Sequence, residues 1–446
     1  MIFKYSIFIF FVGWSCCTAQ DYNAVLDSLA QFGNCLTEVA FNDPTLGYVT
    51  AAPSLYCDPF RPATFRQLPG ITCCPAQSPD DIRVRFRLFQ PGQGEVGDLD
   101  WRSAEGAKKL IANKRVIFVI HGYLETFEDS TWMKPLVDAY VAGGEQVVAI
   151  DWRGGNGIQY FQAAANVRVV GMEIGHALLK WGITSRTLLV GFSLGAQVVG
   201  EAGKYVRENS LTGELVPECL GLDPAGPAFD GGHDDIRLDR NDCKLVQVVH
   251  SSAGTIPFPL SVLAFEFGTY YKTGHCDYWV NCGHIQTGCN TELKFHELME
   301  AAKNEFNGVN ASSVGSWLMP QVCSHGRAPL TLVSSVAKTC NYTVESCDEP
   351  WCGEGAQTTL FCSSGQPTPM VYPGLEPTKC TPSDNLDFMI RTTNVPDYCT
   401  PADKQRNVSP PSKKVTTNKK STAGGRNKAP GNTNTKKYMK KFVYML

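Results

Sequence analysis

The chain has 446 residues and a formal net charge of −3, room for one large or two ordinary domains. A hydrophobic content of 43%, with 11% aromatic, excludes a chain unable to build a core. Charge is uneven: residues 401–446 hold 12 Lys/Arg and one Asp, a net of +11, which leaves −14 on the other 400 residues. No nucleic-acid partner is expected.

The chain begins "MIFKYSIFIFFVGWSCCTAQ". Lys4 precedes an apolar run of about ten residues, and small residues lead to Ala19. The pattern predicts a signal peptide over 1–19 and a secreted, extracellular protein. No later run reaches about 18 apolar residues, so no transmembrane anchor is expected. Loss of Cys16 and Cys17 leaves sixteen of the 18 cysteines, an even number that predicts disulfides in that compartment. Sequons at Asn310, Asn341 and Asn407 fit glycosylation, Asn407 least because Pro410 follows it.

Residues 20–80 form an irregular N-terminal extension with Cys35, Cys57, Cys73 and Cys74. "VRFRLFQ" (84–90) alternates and predicts an antiparallel strand at the first edge. Short apolar runs follow: "RVIFVI" (115–120), "QVVAIDW" (146–152), "TLLVGF" (187–192), "CLGLD" (219–223) and "KLVQVVH" (244–250). The spacers between them suit helical crossovers, and near-continuous apolar strands belong to a parallel sheet buried on both faces. The fold class is α/β, with "AQVVGEAGKYVREN" (196–209) as one covering helix. Periodicity fades after 340. A cysteine-rich, Pro/Gly/Ser-rich stretch over 341–400 is expected to form the end of the α/β domain, and 401–446 is a basic, low-complexity tail.

In "RTLLVGFSLGAQVVGEAG", Ser193 has glycine at both −2 and +2, where a buried strand turns into a helix. Such a turn exposes a nucleophile at the carboxyl edge of the sheet. It also aims the N–H of Leu194 at developing negative charge. The alternative is a tight-packing turn with an idle serine. A serine of ordinary pKa needs a base, and the base needs a carboxylate, in the chain order Ser, acid, His. Asp223 ends the next strand-like run, whereas Asp234, Asp235, Asp239 and Asp242 sit in a polar loop. The residues alone do not separate His250 from His325 as the base. Cys219 and Cys243 each open a strand-like run; neighbouring parallel strands about 4.8 Å apart would bring them within bridging range.

The segments "FVIHGYLETFEDSTW", "VVAIDWRGG", "YFQAAANVRVVG", "LVGFSLGAQVVGEAG", "GLDPAGPAF", "DDIRLDRNDC", "VVHSSAG", "GHCDYWVNCGHIQTGC" and "VCSHGRA" follow one another over roughly residues 80–330. Together they resemble the pancreatic lipase family of neutral lipases, which includes secreted phospholipases A1. The resemblance implies an α/β-hydrolase domain over 81–340 and the triad Ser193, Asp223 and His325. It implies an oxyanion hole from the N–H groups of Tyr123 and Leu194. It also implies a structural calcium ion held by Asp234, the Arg237 carbonyl, Asp239 and Asp242; no cofactor is required for the chemistry. A further implication is a lid over 289–323, stapled by Cys289 and Cys323, with 33 residues between them. Within it "ELMEAAKNEF" is amphipathic, and Trp317, Leu318 and Met319 can face lipid.

That lid length favours triacylglycerol, met at a lipid interface. Hydrolysis of the sn-1 ester of phospholipids is the alternative, and a non-catalytic lipid-binding or yolk-type protein is the alternative of another class. The basic tail suits contact with anionic lipid or heparin. Two departures stand out. The sequence after 340 is too poor in strands for the C-terminal β-sandwich of pancreatic-type members. Cys276 and Cys282 are extra cysteines, expected to pair locally.

Overall fold

A computed structural model describes residues 40–43, 47–50, 76–157, 160–230, 234–253, 267–289, 322–347, 368–369, 380–394 and 398–405. The expected signal peptide, nearly all of the N-terminal extension, the interior of the expected lid with Asn310, Asn407 and most of the basic tail lie outside these residues. The described residues belong to a unit running Met1–Asn407; a second unit, Val408–Leu446, lies wholly outside them.

A small antiparallel pair comes first, β1 (Ala40–Asp43) and β2 (Gly47–Thr50). A four-residue helix, α1 (Pro79–Ile82), leads into β3 (Arg85–Gln90) and β4 (Gly94–Leu99). The five apolar runs are β5 (Val116–Ile120), β6 (Gln146–Asp151), β7 (Thr187–Phe192), β8 (Glu218–Leu222) and β9 (Leu245–His250). Between them lie α2 (Met133–Ala142), α3 (Tyr160–Trp181) and α4 (Leu194–Asn209). After β10 (Cys276–Val280) come α5 (Arg327–Val336), β11 (Thr343–Cys347), β12 (Thr368–Pro369), β13 (Leu386–Ile390) and α6 (Pro401–Gln405).

The described strands from β3 onward join one 11-stranded sheet, in the order β12-β11-β13-β10-β9-β8-β7-β5-β6-β3-β4. From β13 through β6 every neighbouring pair is parallel. Burial explains the continuous apolar runs. Phe118, Ile120, Val148 and Ile150 pack on one face with residues of α3 and α4. Ile117, Val119, Val147 and Ala149, one position out of phase, pack on the other face with residues of α2 and α5. With helices on both sides, both phases of the alternation are largely apolar.

Two details of the sheet differ from the sequence reading. β3 is antiparallel to β6, but β4 pairs outside it, so β3 is not the edge. Its Arg87 is buried because Glu95 and Glu128 receive the guanidinium. Beyond 340, β13 adds a parallel strand beside β10, and β11 lies antiparallel to it. The region thus extends the same sheet.

The expected local pair of Cys276 with Cys282 is not formed. Cys276 is bonded to Cys380, with Cα atoms 6.1 Å apart. The reason is extension: Cys276 opens β10 and Cys282 follows its end, and six residues of extended chain span about 20 Å. Cys340–Cys399 ties the end of α5 to the segment after β13. Cys219 and Cys243 are bonded, with Cα atoms 6.0 Å apart, across the neighbouring starts of β8 and β9. Cys289 and Cys323 are bonded at a Cα separation of 5.7 Å, closing the ends of the segment expected to be a lid. Asn341 is exposed.

Candidate active site

Strand order reverses between β5 and β7: the chain passes from β5 to β6 on one side, then returns to pair on the other. Ligand crevices form at the carboxyl ends of strands at such a switch point. The loop after β5 and the turn after β7 both open there. At the second, Ser193 has φ 56° and ψ −121°, a conformation an L-residue holds only when its surroundings enforce it. Those surroundings are close. A Cβ on Gly191 would stand 2.1 Å from the Gly195 carbonyl oxygen, and one on Gly195 would stand 2.4 Å from that of Ile120. The Ser193 N–H donates to Leu222 O at 3.0 Å, and its carbonyl accepts from Ala225 N at 3.2 Å. α4 starts at Leu194, whose N–H is therefore one of the helix's unpaired leading donors.

Asp223 follows β8 directly and is fully buried. Its Oδ1 accepts from Ser251 N at 2.6 Å and Ser252 N at 3.1 Å. Its Oδ2 accepts from the Ser252 hydroxyl at 2.5 Å and from His325 Nδ1 at 2.6 Å. Burial by itself would raise the carboxyl's pKa. The hydrogen bond and charge of His325, with the Ser251 and Ser252 donors, outweigh it and hold the group below the ordinary carboxylate range. His325 lies in the turn before α5, its ring 4.5 Å from that of Phe192 and 5.6 Å from that of Phe267. With Nδ1 committed to Asp223, Nε2 is the nitrogen left to act as a base.

The loop after β5 comes up against the nucleophile: a Cβ on Gly122 would stand 2.8 Å from the Ser193 Cβ. Three buried or half-buried side chains hold this loop. His121 Nδ1 donates to Gly122 O at 2.9 Å, and its Nε2 accepts from Trp152 N at 3.1 Å. Asn156 Nδ2 donates to Gly122 O and Glu125 O, both at 2.9 Å, while its Oδ1 accepts from Leu124 N at 2.8 Å. Glu125 accepts from Gly122 N at 2.8 Å and from Trp132 Nε1 at 2.9 Å. Tyr123 sits inside this clamped turn, its ring edge-on to Tyr160 at 5.0 Å. Burial pushes its phenol pKa well above the ordinary value.

His250, the rival base, is used elsewhere. It is buried on β9, stacked on Trp279 at 3.9 Å, with Nε2 2.8 Å from Asp277 Oδ1 and Nδ1 3.3 Å from Thr269 O. No sequence pattern assigns a role to Ser251, Ser252 or Asn156. Their signal was present only as position, in "VVHSSAG" after one strand and "DWRGGN" after another.

The residues expected to hold calcium are engaged within the protein. Each has another partner: Asp234 Oδ1 pairs with the Arg237 guanidinium at 2.5 Å, and Asp239 Oδ1 accepts from Asn241 N at 2.9 Å and Asn241 Nδ2 at 2.6 Å. The Arg237 carbonyl and the Asp242 carboxylate both accept from Lys204 Nζ.

The family model described as Lipase matches residues 62–363. Pancreatic lipase-related protein 2 of Cavia porcellus is 35% identical over 225 residues, 48% of this chain and 49% of that protein. Pancreatic triacylglycerol lipase of Homo sapiens is 31% identical over 224 residues, 48% of this chain and 46% of that protein. The chain thus spans about half the length of the curated relatives it matches. Among solved structures, Est1E from Butyrivibrio proteoclasticus is 13% identical and covers 44% of this chain and 80% of its own, with a TM-score of 0.24. A thermophilic esterase from Thermogutta terrifontis is 14% identical and covers 40% of this chain and 70% of its own, with a TM-score of 0.26. At those scores the fold rests on the sheet itself, a parallel array with helices on both faces and a serine at the switch point. With the family model matched across more than half of its length, the chain belongs to the Lipase family.

Proposed function

We propose that this protein is a secreted serine esterase that hydrolyses fatty-acyl esters of glycerolipids, triacylglycerol foremost, through an acyl-enzyme. The carrying observation is the 2.6 Å contact from His325 Nδ1 to Asp223 Oδ2, with the imidazole against Phe192, the residue before the strained Ser193. In this reading Ser193 Oγ attacks the ester carbonyl carbon as His325 Nε2 takes its proton. The N–H groups of Leu194 and Tyr123 stabilise the tetrahedral oxyanion, each worth roughly 3 kcal/mol of barrier. The carbon–oxygen bond to glycerol breaks, and His325 returns the proton to the leaving oxygen. Water, deprotonated by His325, then attacks the acyl-serine; the fatty acid leaves and Ser193 recovers its proton.

The relatives' names, triacylglycerol lipase and pancreatic lipase-related protein 2, support a glycerolipid substrate. Secretion is supported by the leading apolar segment and the disulfides. Among the described residues no helix is long and apolar enough to cross a membrane. The basic tail is the segment suited to anionic lipid or heparin. The experiment is hydrolysis of triolein against phosphatidylcholine by the purified protein, beside Ser193→Ala. Loss of triolein hydrolysis in the variant supports the reading. Equal rates for both proteins sink the esterase mechanism, and a preference for phosphatidylcholine replaces the substrate class.

A further inference from the structure

α4 carries Gly200 and Gly203 where it meets the loop that runs to Cys243. A Cβ on Gly200 would stand 2.8 Å from Leu238 Cα, and one on Gly203 would stand 2.5 Å from Asp242 O. That approach carries Lys204 into the loop, where it is only 6% exposed. Its Nζ donates to Arg237 O at 2.7 Å and to Asp242 Oδ2 at 2.9 Å, with Glu201 Oε1 at 3.8 Å. A carbonyl and carboxylates are what a hard divalent cation takes, at about 2.3–2.6 Å. A buried ammonium demands the same oxygens, because it has three donors, no acceptor and a charge that cannot remain unpaired. Arg207 adds a second positive group, with NH1 2.9 Å from Asn241 O and 3.5 Å from Asp242 Oδ1. A divalent ion on these oxygens would meet the buried charge of Lys204 and, beside it, the half-buried charge of Arg207.

We propose that the Lys204 ammonium is the resident cation of the 234–242 loop, standing where resembling enzymes hold calcium. This chain then holds the loop without a divalent ion. The loop is tied in turn to α4, the helix that begins at Leu194 behind Ser193, and to β8 through Cys219–Cys243. The proposal does not depend on the hydrolytic reading, since its test reads metal content and stability.

The full-length protein is dialysed, its calcium content is measured by atomic emission, and its Tm is followed in excess EGTA and in millimolar calcium. The expected result is no stoichiometric calcium and the same Tm in both. Lys204→Ala is expected to lose about 5 °C or more in Tm, because it leaves Asp242 without its buried partner. Stoichiometric calcium in the wild type, a fall in Tm on chelation, or an alanine variant as stable as the wild type overturns the proposal. Should Lys204→Ala not fold, the two wild-type measurements decide.

Discussion

Ser252 is the sharpest point at which to perturb the site without removing a member of the proposed triad. Its hydroxyl donates to Asp223 Oδ2 at 2.5 Å, lies 3.1 Å from His325 Nδ1, and accepts from Gly268 N at 3.2 Å. It therefore closes a triangle on the same carboxylate oxygen that receives the imidazole. Ser252→Ala removes one of four donors to a buried carboxylate and leaves the backbone N–H of residue 252 in place. A hydrogen bond to a charged group contributes about 1.5–3 kcal/mol. If that loss appears in full in the transition state, kcat falls about 10- to 100-fold. That is well short of the about 10⁴-fold typical when the triad acid itself is replaced. The variant also separates positioning from packing through pH. Without the hydroxyl the Asp223 carboxylate is less stabilised, so the Asp223–His325 pair holds its proton more tightly, and the acid limb of kcat/KM moves to higher pH. The assay is a pH–rate profile on a soluble short-chain ester for wild type, Ser252→Ala and Ser252→Thr, the last expected to recover most of the rate. A Ser252→Ala enzyme within about threefold of wild type, with an unmoved acid limb, would show that the triangle contributes nothing to catalysis.

Further expectations concern the rest of the molecule. His325→Ala should match Ser193→Ala in loss of ester hydrolysis, while His250→Ala should lower Tm and leave a measurable rate; the reverse pattern would exchange their roles. Burial drives the Asp230 carboxyl up to about 6, against the Thr269 hydroxyl that donates to it and the nearby charges of Arg237 and His250. The unfolded chain releases that proton near pH 3.9, so folding binds it more tightly, and stability is lost as pH rises from about 4 through about 6. The loss totals about 3 kcal/mol, and Asp230→Asn should flatten the Tm–pH curve over that window; an unchanged curve refutes the assignment. Cys219→Ser with Cys243→Ser opens a loop with a sequence separation of 24 and should cost about 3–4 kcal/mol in denaturant unfolding. A cost under about 1 kcal/mol would mean the packing around β8 and β9 holds the loop unaided.

The sequence by itself determined the local chemistry. A parallel strand buried on both faces is apolar at nearly every position, so β5 through β9 are legible as runs. A serine between two glycines at a strand end announces the elbow because larger side chains at Gly191 and Gly195 would meet backbone oxygens. What pairs with what across the sheet was decided only in three dimensions. β13 lies in polar, proline-rich surroundings and becomes an interior strand because β10, parallel to it, and β11, antiparallel to it, supply its hydrogen bonds. Local pattern cannot separate His250 from His325; the fold gives one to Asp277 and Thr269 and the other to Asp223, 102 residues away in sequence. The same holds for Lys204. In sequence it is one basic residue on a helix, and only the approach of that helix to the 234–242 loop turns it into the loop's counter-ion. Such assignments depend on contacts between distant segments, and those contacts exist only once the whole sheet has closed.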